Sequence, residues 1–102
     1  MNAELFIKKA LLQIKKGQTD KAVESMKKTI EIGDDIVSVV QAHCFLGEYY
    51  FINQDYISAK YHLEWISEQQ DEFETDYDDL LNEEIDRAEM LLDMIGEFSL
   101  IN

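Results

Sequence analysis

Apolar positions recur along most of the chain at the spacing of helix faces. In "AELFIKKALLQIKK", Ile7, Ala10, Leu11 and Ile14 fall at i, i+3, i+4 and i+7, which places them on one side of a helix. Gly17 interrupts that pattern. "TDKAVESMKKTIEI" sets Ala22, Met26, Thr29 and Ile30 along a second face, with Thr19 or Asp20 able to cap the first amides and Gly33 able to end the helix. These segments predict a first helical hairpin over residues 3–33.

A second pair, "IVSVVQAHCFLGEYYFI" and "YISAKYHLEWISEQQ", is separated by "NQD", where Asp55 suits an N-cap, and predicts a hairpin over residues 36–70. The β-branched run "IVSVV" would also suit a strand. Its continuation at helical spacing through Ala42, Phe45, Leu46 and Tyr49 favours a helix. A last helix is expected over residues 75–98, opened by the capping-box spacing of Thr75 and Asp78. Its apolar seam runs through Tyr77, Leu81, Ile85, Ala88, Leu92 and Ile95.

Composition narrows this to one all-α domain, because the chain has 102 residues, no proline and few turn signals. A lone cysteine, Cys44, fits a reducing compartment. The chain shows no apolar run of membrane-spanning length and no charged leader, so a cytoplasmic protein without a membrane anchor is expected. Charge is strongly polarised. Residues 1–33 carry seven lysines against four acids, for +3, whereas residues 34–102 carry Lys60 and Arg87 against 18 acids, for −16. The total of −13 disfavours binding to nucleic-acid phosphates or anionic lipid, both of which require basic surface.

Gly47 stands in the middle of an expected helix, where glycine costs about 1 kcal/mol relative to alanine. A second helix passing too close for a side chain would explain it. Self-similarity supports that reading: "KKGQTDKAVESMKKTIEI" and "FINQDYISAKYHLEWISE" align at an offset of 37 residues, with Ala22 over Ala59, Met26 over Leu63 and Thr29 over Ile66. The second hairpin reads His43-x2-Leu46-Gly47-x2-Tyr50, then Ala59-x3-Leu63, which resembles the tetratricopeptide repeat signature W-x2-L-G-x2-Y, A-x3-F, P. His43 replaces the large aromatic, no proline closes either repeat, and the offset exceeds the family's period of about 34 residues.

The resemblance covers roughly residues 3–70 and is carried mainly by the second hairpin. It implies antiparallel hairpins stacked as a short right-handed superhelix of about five helices, closed by the last helix as a polar-faced cap. It also implies that Gly47 and Ala59 are packing residues, each facing the partner helix.

Candidate chemistry is sparse. His43 and His62 lie 19 residues apart and read as a packing residue and a surface residue; no Cys or His pair has zinc-site spacing. No P-loop, dinucleotide fingerprint or nucleophile elbow occurs, so neither an enzyme nor a cofactor is expected. "DEFETDYDDLLNEEID" lacks the glycine and spacing of a calcium loop and reads as a solvated acidic face.

The family resemblance instead implies a scaffold that binds a peptide or helix of another protein, as an adaptor, regulator or chaperone-like module. In many relatives the first helix of each pair grips a C-terminal carboxylate. The corresponding residues here are Gln41, Cys44, Phe45, Glu48, Phe51 and Ile52, none of them basic, so an apolar or basic partner segment fits better. Asp76, Asp78, Asp79, Glu83 and Glu84 belong to a stretch with nine acids over residues 71–86, an edge suited to steering a basic partner. Two alternatives are a self-associating structural module, using Leu5 and Leu12 opposite the main face of the first helix, and an acidic mimic of DNA.

Overall fold

The computed structural model describes residues 2–69 and 81–101. Within them the chain forms five α-helices and no strand: α1 (Ala3–Lys15), α2 (Thr19–Ile32), α3 (Ile36–Ile52), α4 (Tyr56–Glu68) and α5 (Asn82–Glu97). The all-α expectation therefore holds for these residues. No helix among them is long and apolar enough to cross a membrane. The chain divides into two compact units, Met1–Ala42 and His43–Asn102, and α3 contributes to both. The division thus falls inside α3.

In the first unit, the Asn2 side chain accepts the Leu5 amide at 2.9 Å and opens α1. Gly17, at φ 74°, supplies the left-handed backbone that ends the helix and turns the chain. α1 packs against α2 through Ala3, Ile7 and Ala10 on one side and Ala22, Val23, Met26 and Thr29 on the other, all buried. Leu11 departs from the expected face and is half exposed, because the core side of α1 is set by the 3, 7, 10 spacing and Leu11 falls beyond its edge. Neither Thr19 nor Asp20 caps α2. Gln18 flanks the helix without a side-chain cap bond, and Thr19 and Asp20 already belong to the first turn.

Gly33 ends α2 as the sequence predicts, at φ 65°, with its amide donating to the Thr29 carbonyl at 3.0 Å. The Asp34 carboxylate then accepts the Ala3 amide at 2.9 Å, satisfying a donor that the start of α1 leaves unpaired. Asp35 accepts from both the amide and the hydroxyl of Ser38, which starts α3 as a helix despite its β-branched run.

In the second unit, Cys44, Leu46 and Gly47 of α3 are buried, and the turn to α4 passes through Gln54 at φ 65°. Asp55 caps α4 by accepting the Ser58 amide at 3.2 Å. Ala59, Leu63 and Ile66 form the fully buried stripe of α4, and each of the two larger side chains contributes about 1.5–3 kcal/mol by leaving water. A Cβ added at Gly47 would lie 2.5 Å from Leu63 Cδ2, 2.8 Å from Leu63 Cγ and 3.7 Å from the Ala59 carbonyl oxygen. The glycine is there because α4 leaves no space for a side chain.

α5 packs against α4 and buries Ile85, Ala88, Leu91 and Ile95, and Leu81, just before the helix, is buried as well. The expected seam is corrected at one position. Leu91 is interior and Leu92 only half-buried, since stepping by three from Ala88 keeps the stripe aligned with Ile95. Thr75, Tyr77 and Asp78, which the sequence assigned to the start of this helix, lie outside the described residues.

Candidate functional site

Three features of the second unit bring chemically distinctive side chains together. The first joins α3 to α5. Arg87 projects from α5 so that its Nη1 lies 3.4 Å from Glu48 Oε1 and its Nη2 2.9 Å from Glu83 Oε1. These carboxylates hold the guanidinium pKa above its ordinary value, Glu48 contributing most. The guanidinium also faces the Cys44 thiol, whose pKa is pushed up to about 12, first by burial and then by the negative charge of Glu48 and Glu84. A thiol so placed stays protonated at neutral pH and is a poor nucleophile.

Three of the sequence-predicted site residues, Cys44, Glu48 and Glu83, therefore meet around a cation the sequence reading did not single out, and Glu84 acts on it only through the thiol it faces electrostatically. Arg87 interrupts an otherwise acidic stretch, and that isolation was the available signal.

The second feature lies between α3 and α4. His43 is 2% exposed and its Nδ1 approaches His62 Nδ1 at 2.9 Å, so one ring donates and the other accepts. Trp65 stacks on His43 with ring centroids 4.1 Å apart, and Tyr50 stacks on His62 at 5.7 Å. Burial, followed by the neighbouring His62, lowers the His43 pKa to about 4. His62 was expected at the surface; it is half-buried and paired, because the antiparallel hairpin turns it toward His43. Among the described residues, no group of three or more His, Cys, Asp and Glu side chains could hold a metal ion.

The third is an open groove of about 300 Å³ between α4 and α5, floored by Leu92, Ile95 and Gly96 and walled by Lys60, Glu64, Ser67 and Glu68. A neighbouring recess of about 350 Å³ is lined by Asp55, Tyr56, Ile57, Leu100 and Ile101.

The remaining predicted residues are dispersed. Gln41 is exposed on the part of α3 that belongs to the first unit. Phe45 and Phe51 are half-buried, Phe45 stacking on Tyr49 and Phe51 meeting Tyr56 edge-on. Ile52 is 78% exposed, whereas Cys44, at 4%, is interior and offers no side chain to a partner. Asp76, Asp78 and Asp79 lie outside the described residues. Comparison with family models, curated proteins and solved structures finds no match to this chain.

Proposed function

We propose that the chain is a non-enzymatic protein-binding module built from tetratricopeptide-like hairpins in a short right-handed stack, with α5 as its capping helix. The observation that carries this reading is the close approach at Gly47. An added Cβ would strike Leu63, and Ala59 beside it is fully buried, which is the packing role that the signature's small residues imply. Trp65, stacked on His43, supplies across the hairpin the aromatic bulk that the signature carries at His43 itself. Ile52, Ile57, Tyr61 and Phe98 are large, apolar and well exposed in the same unit, and they supply surface for an apolar or basic partner segment.

Affinity capture from the source cell tests the reading. Wild type should retain a protein at stoichiometric level, and the double variant Ile52→Asp, Ile57→Asp should lose it while keeping its helix content. Recovery of the wild-type chain alone would count against a binding module. A self-associating module is the second reading, favoured by Leu5, Leu11 and Leu12, which are all about half exposed on α1. Light scattering across concentration separates the two: a mass that rises to a multiple of the chain favours self-association.

A further inference from the structure

Gly96 stands near the end of α5, inside the helix, and uses none of glycine's conformational freedom, since the positive-φ glycines are Gly17 and Gly33. It is unlike Gly47 in a second respect: a Cβ added there would meet nothing within 4 Å. Among the described residues, no contact explains the missing side chain. Gly96 also forms part of the groove floor with Leu92 and Ile95. A bare backbone beside two aliphatic side chains is a surface that another helix can approach closely.

Charge selects the occupant. α4 and α5 together carry eight acids against Lys60 and Arg87. Arg87 is engaged with Glu48 and Glu83, and the groove wall itself presents Glu64 and Glu68 against the single base Lys60. A second copy of this chain, at −13 overall, is opposed by net charge even though its residues 1–33 carry +3. Apolar surface continues along the same face of α4, because Ile57, one turn before Lys60 and Tyr61, is 73% exposed and lines the neighbouring recess with Leu100 and Ile101. From Ile57 to Glu68 the face is about 16 Å long, roughly three helical turns.

We infer that the α4–α5 groove docks a basic amphipathic helix of another protein, whose apolar face packs over Gly96, Leu92 and Ile95 while its lysines and arginines meet Glu64 and Glu68. This rests on the protein-binding reading above and assigns it a place and a partner chemistry. Docking of this kind follows the helix-in-groove mode, with apolar anchors at helical spacing and acids on the rim setting orientation and encounter rate.

The probe is a fluorescent peptide of about 18 leucines and lysines with leucines on one helical face, titrated beside a scrambled peptide of the same composition. Wild type should bind the amphipathic peptide saturably, one per chain, and the scrambled peptide about tenfold or more weakly. Gly96→Trp, whose Cβ would meet nothing within 4 Å and whose indole adds bulk to the groove lining, should weaken binding about tenfold with helix content kept and no fall in Tm. Glu64→Lys with Glu68→Lys should weaken it likewise and flatten its salt dependence.

Equal binding of the two peptides, or indifference to Gly96→Trp, would reduce the attraction to bulk charge and overturn the inference. A wild-type dimer that Gly96→Trp makes monomeric would overturn it in favour of a second copy. Absent peptide binding, together with stoichiometric capture of a cellular protein, would overturn the groove while leaving the protein-binding reading standing.

Discussion

Gly47 and His43 lie one helical turn apart on α3, and each meets α4 by a different physics. At Gly47 the constraint is volume. Gly47→Leu should destabilise by about 1–3 kcal/mol through overpacking, measured as a lower Tm or denaturant midpoint, and an unchanged midpoint would contradict the close approach. Gly47→Ala combined with Leu63→Ala should cost less than the two single changes added, because removing the Leu63 Cγ and Cδ atoms removes what the new Cβ strikes.

At His43 the constraint is charge. Its folded pKa of about 4 lies below the ordinary 6.5, so below pH 6.5 the unfolded chain binds a proton that the folded chain refuses. Stability from this group is therefore complete above pH 6.5, falls as pH drops toward 4, and levels off below, a loss of up to about 3 kcal/mol. His43→Phe keeps an aromatic ring against Trp65 and should flatten that part of the pH–stability profile relative to wild type. Parallel profiles would contradict the buried neutral imidazole.

Local rules made part of this readable in advance: Gly33, Asp55 and the suspicion about Gly47 each follow from short-range backbone chemistry. The His43–His62 contact needed the hairpin register. Once Gly47 faces Ala59 and Leu63 in an antiparallel pair, the residue one turn earlier must face the residue near position 63, and the sequence reading did not take that step.

Among the elements, α3 was legible as a helix because its apolar positions continue at helical spacing from the β-branched run through Ala42, Phe45, Leu46 and Tyr49. Faces at the ends of the chain were read less well. On α1 the i, i+3, i+4, i+7 spacing from Ile7 took in Leu11, whereas burial centres the face on Ala3, Ile7 and Ala10 and leaves Leu11 half exposed. On α5, Leu91 and Leu92 are adjacent leucines that periodicity alone cannot rank; packing against α4 ranks them.

Removal of residues 76–102 would strip α5 from α4, and the shortened chain should aggregate or lose cooperative unfolding by circular dichroism. A soluble, cooperatively folded fragment would make α5 a detachable arm. Within α5, Gly96→Ala should raise stability by up to about 1 kcal/mol, since the new methyl meets nothing and glycine is the weaker helix former. A fall in Tm would mean that the position is constrained within the chain itself.

For the whole molecule, a net charge of −13 on 102 residues opposes compaction through self-repulsion. Asp76, Asp78, Asp79, Glu83 and Glu84 changed to amides should slow association with a captured partner and flatten its salt dependence while leaving helix content intact. Identical on-rates at low salt would remove any steering role for these acids. Charge polarity was evident in the sequence from the lysine-rich start and the acidic remainder. The pairing of Arg87 with Glu48 and Glu83 was not, because the Glu48 contact joins helices far apart in the chain.

The central claim, that this is a protein-binding module working through the second unit, is tested most directly by hydrogen exchange of the chain alone and with its captured partner. Binding should slow exchange along Lys60–Glu68 and Glu89–Glu97, the two sides of the groove. Unchanged exchange there, with protection confined to α1 and α2, would contradict it.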